Sequence, residues 1–172
     1  MKEQTVFSTA WFSIVKKYCL NISDEPFYSL KTLDYVSVLA ITDQKEILLV
    51  KQYRPSVGNF TLELPGGHVE KNQSPVEAAK IELCEETGYL ANSLDLLGDL
   101  NPDVGRMTNK LWCFFTRELS TAKEWKPEKG IEVVKYPIQQ MSNLIENKKF
   151  NHALNLAVLY LANLKGISLQ VK

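Results

Sequence analysis

The chain has 172 residues, 45% hydrophobic and 23% charged, which is enough for one packed domain with a small extension. Twenty Lys and Arg balance twenty Asp and Glu, for a formal net charge of +0. That balance argues against a general nucleic-acid or membrane-surface binder, which would carry an excess of basic charge.

Residues 5–20 are rich in β-branched and aromatic side chains with partial alternation, and predict one or two strands. A polar turn over 21–26 leads to another strand over 27–33. Together they predict an antiparallel sheet within an N-terminal segment, residues 1–34, ahead of a main domain over 35–172. The apolar runs 35–41 and 47–53 flank a polar stretch and predict a hairpin of buried strands, stopped by Arg54 and Pro55. Residues 60–65 form a short strand that runs straight into Gly66 and Gly67.

A helix follows, with clear start and stop signals. Ser74 suits its N-cap, Pro75 its first position, and Glu77 completes a capping box. Gly88 supplies the left-handed residue that ends it. At about 100° per residue, Glu82, Glu85 and Glu86 share an arc of about 100°, beside an apolar stripe of Val76, Ala79 and Leu83 that should face a core. Three like charges at spacings of three and four repel. A hard divalent cation would remove that repulsion, and a solvated acidic face is the alternative. The glycine pair ahead of the helix favours the cation.

Beyond the helix, 93–100 and 110–117 predict strands joined by the loop 101–109. Residues 120–130 read as a polar loop and 131–137 as the last strand. Helices over 138–147 and 151–164 close the chain, the second with Leu154, Ala157, Val158 and Leu161 as its packed face. The order describes an α+β sandwich. Cys19, Cys84 and Cys113 form no Cys-x-x-Cys pair and read as reduced, buried small hydrophobes. No signal-peptide run and no stretch of membrane-spanning length are visible, so a cytoplasmic location and no membrane partner are expected. His68 and His152, the only histidines, have no ligand spacing with a soft donor, which argues against zinc.

The segment from Gly67 to Tyr89 resembles the Nudix hydrolase signature, G-x5-E-x7-R-E-U-x-E-E-x-G-U with U aliphatic. Aligned on Gly67 and Gly88, the acidic core Glu82, Glu85 and Glu86 matches throughout. Gln73 replaces the first glutamate and Ile81 the arginine. In the family those two side chains pair, so their joint loss reads as a replaced salt bridge. Val50-Lys-Gln-Tyr-Arg-Pro and Leu62-Glu-Leu-Pro-Gly-Gly-His-Val-Glu are similar to the ADP-ribose and nucleoside-diphosphate-sugar pyrophosphatase branch.

The resemblance implies an α/β/α sandwich with a mixed sheet and a small N-terminal antiparallel sheet. It also implies Mg²⁺-dependent hydrolysis of a nucleotide sugar to a nucleoside monophosphate and a sugar phosphate, with Mn²⁺ as a substitute. Glu82, Glu86 and the Gly66 carbonyl would hold metal, with Glu85 as ligand, charge partner or catalytic group. Arg54 would contact substrate phosphate, or else form a surface ion pair. Trp11 would stack on the base across a homodimer, or belong to a core. Arg106 would hold a phosphate or terminal sugar, or be a solvated loop residue. Glu128 would assist the attacking water, with Glu124 and Glu132 as rivals. The changes at Gln73, Ile81 and loop 101–109, which lacks the branch's acidic residue, leave a second expectation: a nucleotide-binding or regulatory domain without turnover.

Overall fold

The computed structural model describes residues 2–19 and 22–169. Strands β1 (Lys2–Ser8), β2 (Ser13–Tyr18) and β3 (Phe27–Lys31) form an antiparallel sheet in that order. Two strands thus occupy the first predicted stretch, while Leu20 and Asn21, from the predicted strand end and turn, lie outside the described residues. Of this sheet's described side chains only Val15 is buried.

Three strands follow, β4 (Tyr35–Ala40), β5 (Glu46–Arg54) and β6 (Asn59–Glu63), and then helix α1 (Pro75–Thr87). Strands β7 (Tyr89–Ala91), β8 (Asp95–Leu100), β9 (Leu111–Thr116), β10 (Leu119–Thr121) and β11 (Ile131–Pro137) come next. The chain closes with a 3-10 turn, Ile138–Gln140, and helices α2 (Met141–Glu146) and α3 (Ala153–Leu164). The predicted helix over 138–147 is therefore partly a 3-10 turn, and β7 and β10 are strands where none was expected. They pair with each other.

β4 and β5 do not form the predicted hairpin. They separate after one bridge, Ile41 to Ile47. β4 runs parallel to β9, which is antiparallel to β8, and β5 lies antiparallel between β6 and β11. Both runs are apolar on both faces, with Val36 to Ala40 and Ile47 to Val50 buried. Strands buried on both sides take neighbours that share both faces, and adjacency in sequence does not decide which.

The period of two along these strands creates two cores. Leu39, Ile41, Ile47 and Leu49 pack with Met141, Leu144, Val158 and Leu159 from the closing helices. Val36, Val38, Ala40 and Leu48 pack with Ala78, Ala79 and Leu83 of α1. Helices therefore cover both faces of the strand layer, the α/β/α sandwich expected.

Some predicted core positions shift. Val76 is 39% exposed; its angle is right, but it stands in the first turn of α1, and burial begins only at Ala78. On α3 the fully buried residues are Asn155, Val158, Leu159 and Ala162, so of the predicted face only Val158 is fully buried. Cys113 is buried, while Cys19 and Cys84 are only half-buried, and all three are free. Burial pushes the Cys113 thiol up to about 12. Among the described residues no helix is long and apolar enough to cross a membrane.

Asn155 is a polar pin through the core, 3% exposed. Its Oδ1 accepts the Leu64 N–H at 3.0 Å and its Nδ2 donates to Ser37 Oγ at 3.3 Å. Asn155→Leu leaves the buried Leu64 amide unpaired. It should cost about 2 kcal/mol and lower Tm by roughly 4–8 °C, read by thermal unfolding.

Candidate active site

The site forms where the segment after β6 lies along β4. Val38 N donates to the Pro65 carbonyl and Val36 N to that of Gly67, each at 2.9 Å. The carbonyl between them, Gly66, accepts no hydrogen bond among the described residues. The two glycines are tightly approached, Gly66 by backbone and Gly67 by a side-chain end. A Cβ on Gly66 would collide with the Val36 carbonyl oxygen, and one on Gly67 with the Glu82 carboxylate.

Helix α1 is held by the predicted caps. Ser74 Oγ accepts Glu77 N–H, Glu77 accepts Ser74 N–H at 2.8 Å, and Gly88, with φ 74°, donates its N–H to Cys84 O. This orientation sets Glu82 and Glu86 against the glycine pair. Glu86 is 5% exposed and accepts the Gly66 N–H at 2.8 Å. Glu85 remains exposed.

Burial, joined by the charges of Glu85, Glu128 and Glu70, pushes Glu82 up to about 7. Burial also pushes Glu86 up to about 8; the Gly66 amide and Arg54 oppose this, and Glu82 and Glu128 add to it. Among the described residues no three His, Cys, Asp or Glu side chains are gathered into a metal cage. The two desolvated carboxylates and the free Gly66 carbonyl are nevertheless an all-oxygen donor set short of positive charge, which fits a hard divalent cation.

Arg54, at the end of β5, forms a bidentate pair with Glu63 of β6: Nε to Oε1 at 2.8 Å and Nη2 to Oε2 at 2.7 Å. Thr61 Oγ also donates to Glu63 Oε1, at 2.5 Å. Burial alone would raise the Glu63 carboxyl, but Arg54 and Thr61 bring it below its ordinary value. The third guanidinium nitrogen, Nη1, has no hydrogen-bond partner among the described residues. A cavity of about 370 Å³ is lined by Arg54, Glu63, Gly66, Gly67, His68 and His152, among others. Both histidines, given no role from sequence, thus face the same space. His152 Nδ1 is buried with no hydrogen-bond partner among the described residues, 3.8 Å from Glu63.

Trp11, 76% exposed in the β1–β2 turn, lines a neighbouring cavity of about 430 Å³ with Phe12, Lys31 and Glu70. His68 lines both cavities. Arg106 lines neither; its side chain reaches Asp103, and its carbonyl accepts Leu30 N–H of β3. Glu128 is exposed on the segment between β10 and β11, where its charge acts on Glu82 and Glu86. Its rival Glu132 pairs with Lys51 at 3.0 Å, and Glu124 is exposed.

The sequence matches the NUDIX domain family over residues 31–156. The chain belongs to the Nudix family. It is 32% identical over 117 residues to an ADP-ribose pyrophosphatase of Bacillus subtilis, a match covering 66% of this chain and 63% of that protein. It is 28% identical over 134 residues to the ADP compounds hydrolase NudE of Escherichia coli, covering 76% and 72% respectively. A crystal structure of an ADP compounds hydrolase superposes with a TM-score of 0.82 at 24% identity, over 98% of this chain and 95% of that one. That last likeness shows the fold.

Nudix hydrolases generally use divalent metals, in keeping with the donor set above. The two departures from the Nudix signature also have local accounts. Gln73 closes a turn on Glu70, accepting its N–H at 3.1 Å. Ile81 is exposed. Of the two expectations for Arg54, the ion pair is present; its partner Glu63 has no mark of its own in the sequence, yet the hairpin register contains it: Val50 faces Glu63 and Gln52 faces Thr61, so Arg54 shares their face.

Proposed function

We propose that this Nudix protein is a cytoplasmic pyrophosphatase that hydrolyses ADP-ribose or a related nucleoside diphosphate sugar to a nucleoside monophosphate and a sugar phosphate. Mg²⁺ is the proposed metal, with Mn²⁺ as a substitute. The observation that carries this reading is the pair of carboxylates, half-buried Glu82 and buried Glu86, turned onto Gly66 and Gly67 beside a cavity that Arg54 lines.

Glu82, Glu86 and the Gly66 carbonyl would hold the cation, with Glu85 as an outer charge. When bound, the cation supplies Lewis-acid charge for the phosphates and a more acidic water. The chain's own part is to orient the substrate and move a proton. Arg54, fixed by Glu63, offers its free Nη1 to a phosphate oxygen. Glu128 takes the proton from the attacking water. Trp11 stacks on the base, and its exposure with Val6, Phe7, Phe27 and Tyr28 supports a homodimer through the N-terminal sheet. Arg106 lines neither cavity and, exposed with its side chain on Asp103, is read as a solvated loop residue.

Turnover of a panel of ADP-ribose, other nucleotide sugars, dinucleoside polyphosphates and coenzyme A with Mg²⁺ tests the assignment. The expected result is release of a nucleoside monophosphate from ADP-ribose or a related nucleotide sugar; binding without turnover across the panel would overturn it. Arg54→Lys cannot both satisfy Glu63 bidentately and reach a phosphate, so kcat/KM should fall by about 10- to 100-fold. The non-catalytic reading draws no support from Gln73 and Ile81, since one closes a turn and the other faces solvent.

A further inference from the structure

The segment 122–130, which carries Glu128, is fastened to the last turn of α1. Ala122 N donates to the Gly88 carbonyl at 2.9 Å. Trp125 Nε1 donates to the Glu85 carbonyl at 2.8 Å. The indole lies directly on Gly88, where even a Cβ would come within 2.6 Å of Trp125 Cδ2.

The helix end explains why an indole is welcome there. The last carbonyls of a helix lack intrahelical partners. Tyr89 N would ordinarily reach the Glu85 carbonyl four residues back, but it donates to Thr87 Oγ at 3.2 Å instead. Thr87 Oγ in turn donates to the Leu83 carbonyl at 2.5 Å. The Glu85 carbonyl is left to Trp125. Pro127 stiffens the two-residue link from Trp125 to Glu128. On the far side, Ile131 N donates to the Glu128 carbonyl at 3.2 Å, at the start of β11. Glu128 therefore hangs between two fixed points, one of them on the helix that carries Glu82 and Glu86.

We propose that Trp125 is a positioning residue, an indole latch that seats the Glu128 segment on Gly88 and the Glu85 carbonyl so that Glu128 is held at the acidic face of α1. This rests on the reading of Glu128 as the proton acceptor. Trp125→Phe keeps a ring on Gly88 but loses the N–H, and Trp125→Ala loses both.

Two measurements on the full chain test the latch. The first is hydrogen exchange without metal or substrate. Protection at Ala122 and its neighbours should fall by about tenfold or more in Trp125→Ala, with intermediate loss in Trp125→Phe and no change within α1. The second is a double-mutant cycle on turnover. Trp125→Ala should lower kcat by about tenfold or more with KM little changed, and should add nothing in a Glu128→Gln background. Unchanged exchange at Ala122 overturns the latch. So do losses that multiply in the double mutant, since a merely structural tryptophan would act independently of Glu128. If Glu128→Gln turns over like the parent, the premise about Glu128 fails instead, and if the parent turns over no substrate, the proposed function fails.

Discussion

Glu86→Gln should reduce turnover by about 10³-fold or more while leaving the fold intact. Glutamine keeps the volume and an oxygen to accept the Gly66 N–H, so only the charge is lost. The same variant should be more stable than the parent at neutral pH without metal. The sign follows from the protons bound. An unfolded glutamate titrates near its ordinary value, 4.5, whereas Glu82 and Glu86 in the fold titrate near 7 and 8. Between those values the folded chain holds more protons than the unfolded one. The stabilisation is complete below the unfolded value and is lost as pH rises through the folded values. Metal-free Tm of the parent should therefore fall from about pH 5 to about pH 8, by on the order of 5 °C. Glu86→Gln should flatten much of that slope. A divalent cation should raise the parent's Tm most at the alkaline end, where it replaces the lost protons. Thermal scans with and without Mg²⁺ across this range read all three effects. A parent Tm that rises with pH would contradict them.

Gly66→Ala and Gly67→Ala should fail in different ways. The Cβ at position 66 meets a backbone atom, the Val36 carbonyl oxygen, so the glycine segment must pull away from β4. That should cost about 3 kcal/mol or more and lower Tm by roughly 6–12 °C. At position 67 the Cβ meets only the end of the Glu82 side chain, which can swing aside. Gly67→Ala should keep most of its stability and lose about tenfold or more in apparent Mg²⁺ affinity, as Glu82 is displaced. Thermal unfolding and calorimetric Mg²⁺ titration of the two variants separate these outcomes. Equal Tm losses would mean that the glycine segment is not anchored as described.

What was legible in the sequence was local. Ser74, Pro75, Glu77 and Gly88 mark the ends of α1 because caps act within a few residues, and all four play the expected parts. The acidic face and the glycine pair were legible for the same reason, as was the alternation that sends Leu39 and Val38 to opposite cores. The β4–β5 hairpin was misread because an apolar run buried on both faces does not state its partner, and here β4 chose β9 across 76 residues, Tyr35 opposite Leu111. The shared cavity of His68 and His152 and the Trp125–Glu85 hydrogen bond were invisible for a related reason. Each joins segments far apart in the chain, and only the assembled sandwich brings them together. Glu63 lay between these extremes, since the register of one short hairpin points it at Arg54.

The free carbonyl of Gly66 has a further consequence. Its neighbours on either side are claimed by Val38 and Val36, so the oxygen we propose for a cation is chosen by the pleat of the sheet. A slip of one residue along β4 would turn that oxygen inward and present a neighbour's instead. The site is thus addressed by counting along a strand. A one-residue insertion or deletion between Glu63 and Gly67 would misdirect it even if every acidic side chain on α1 stayed in place.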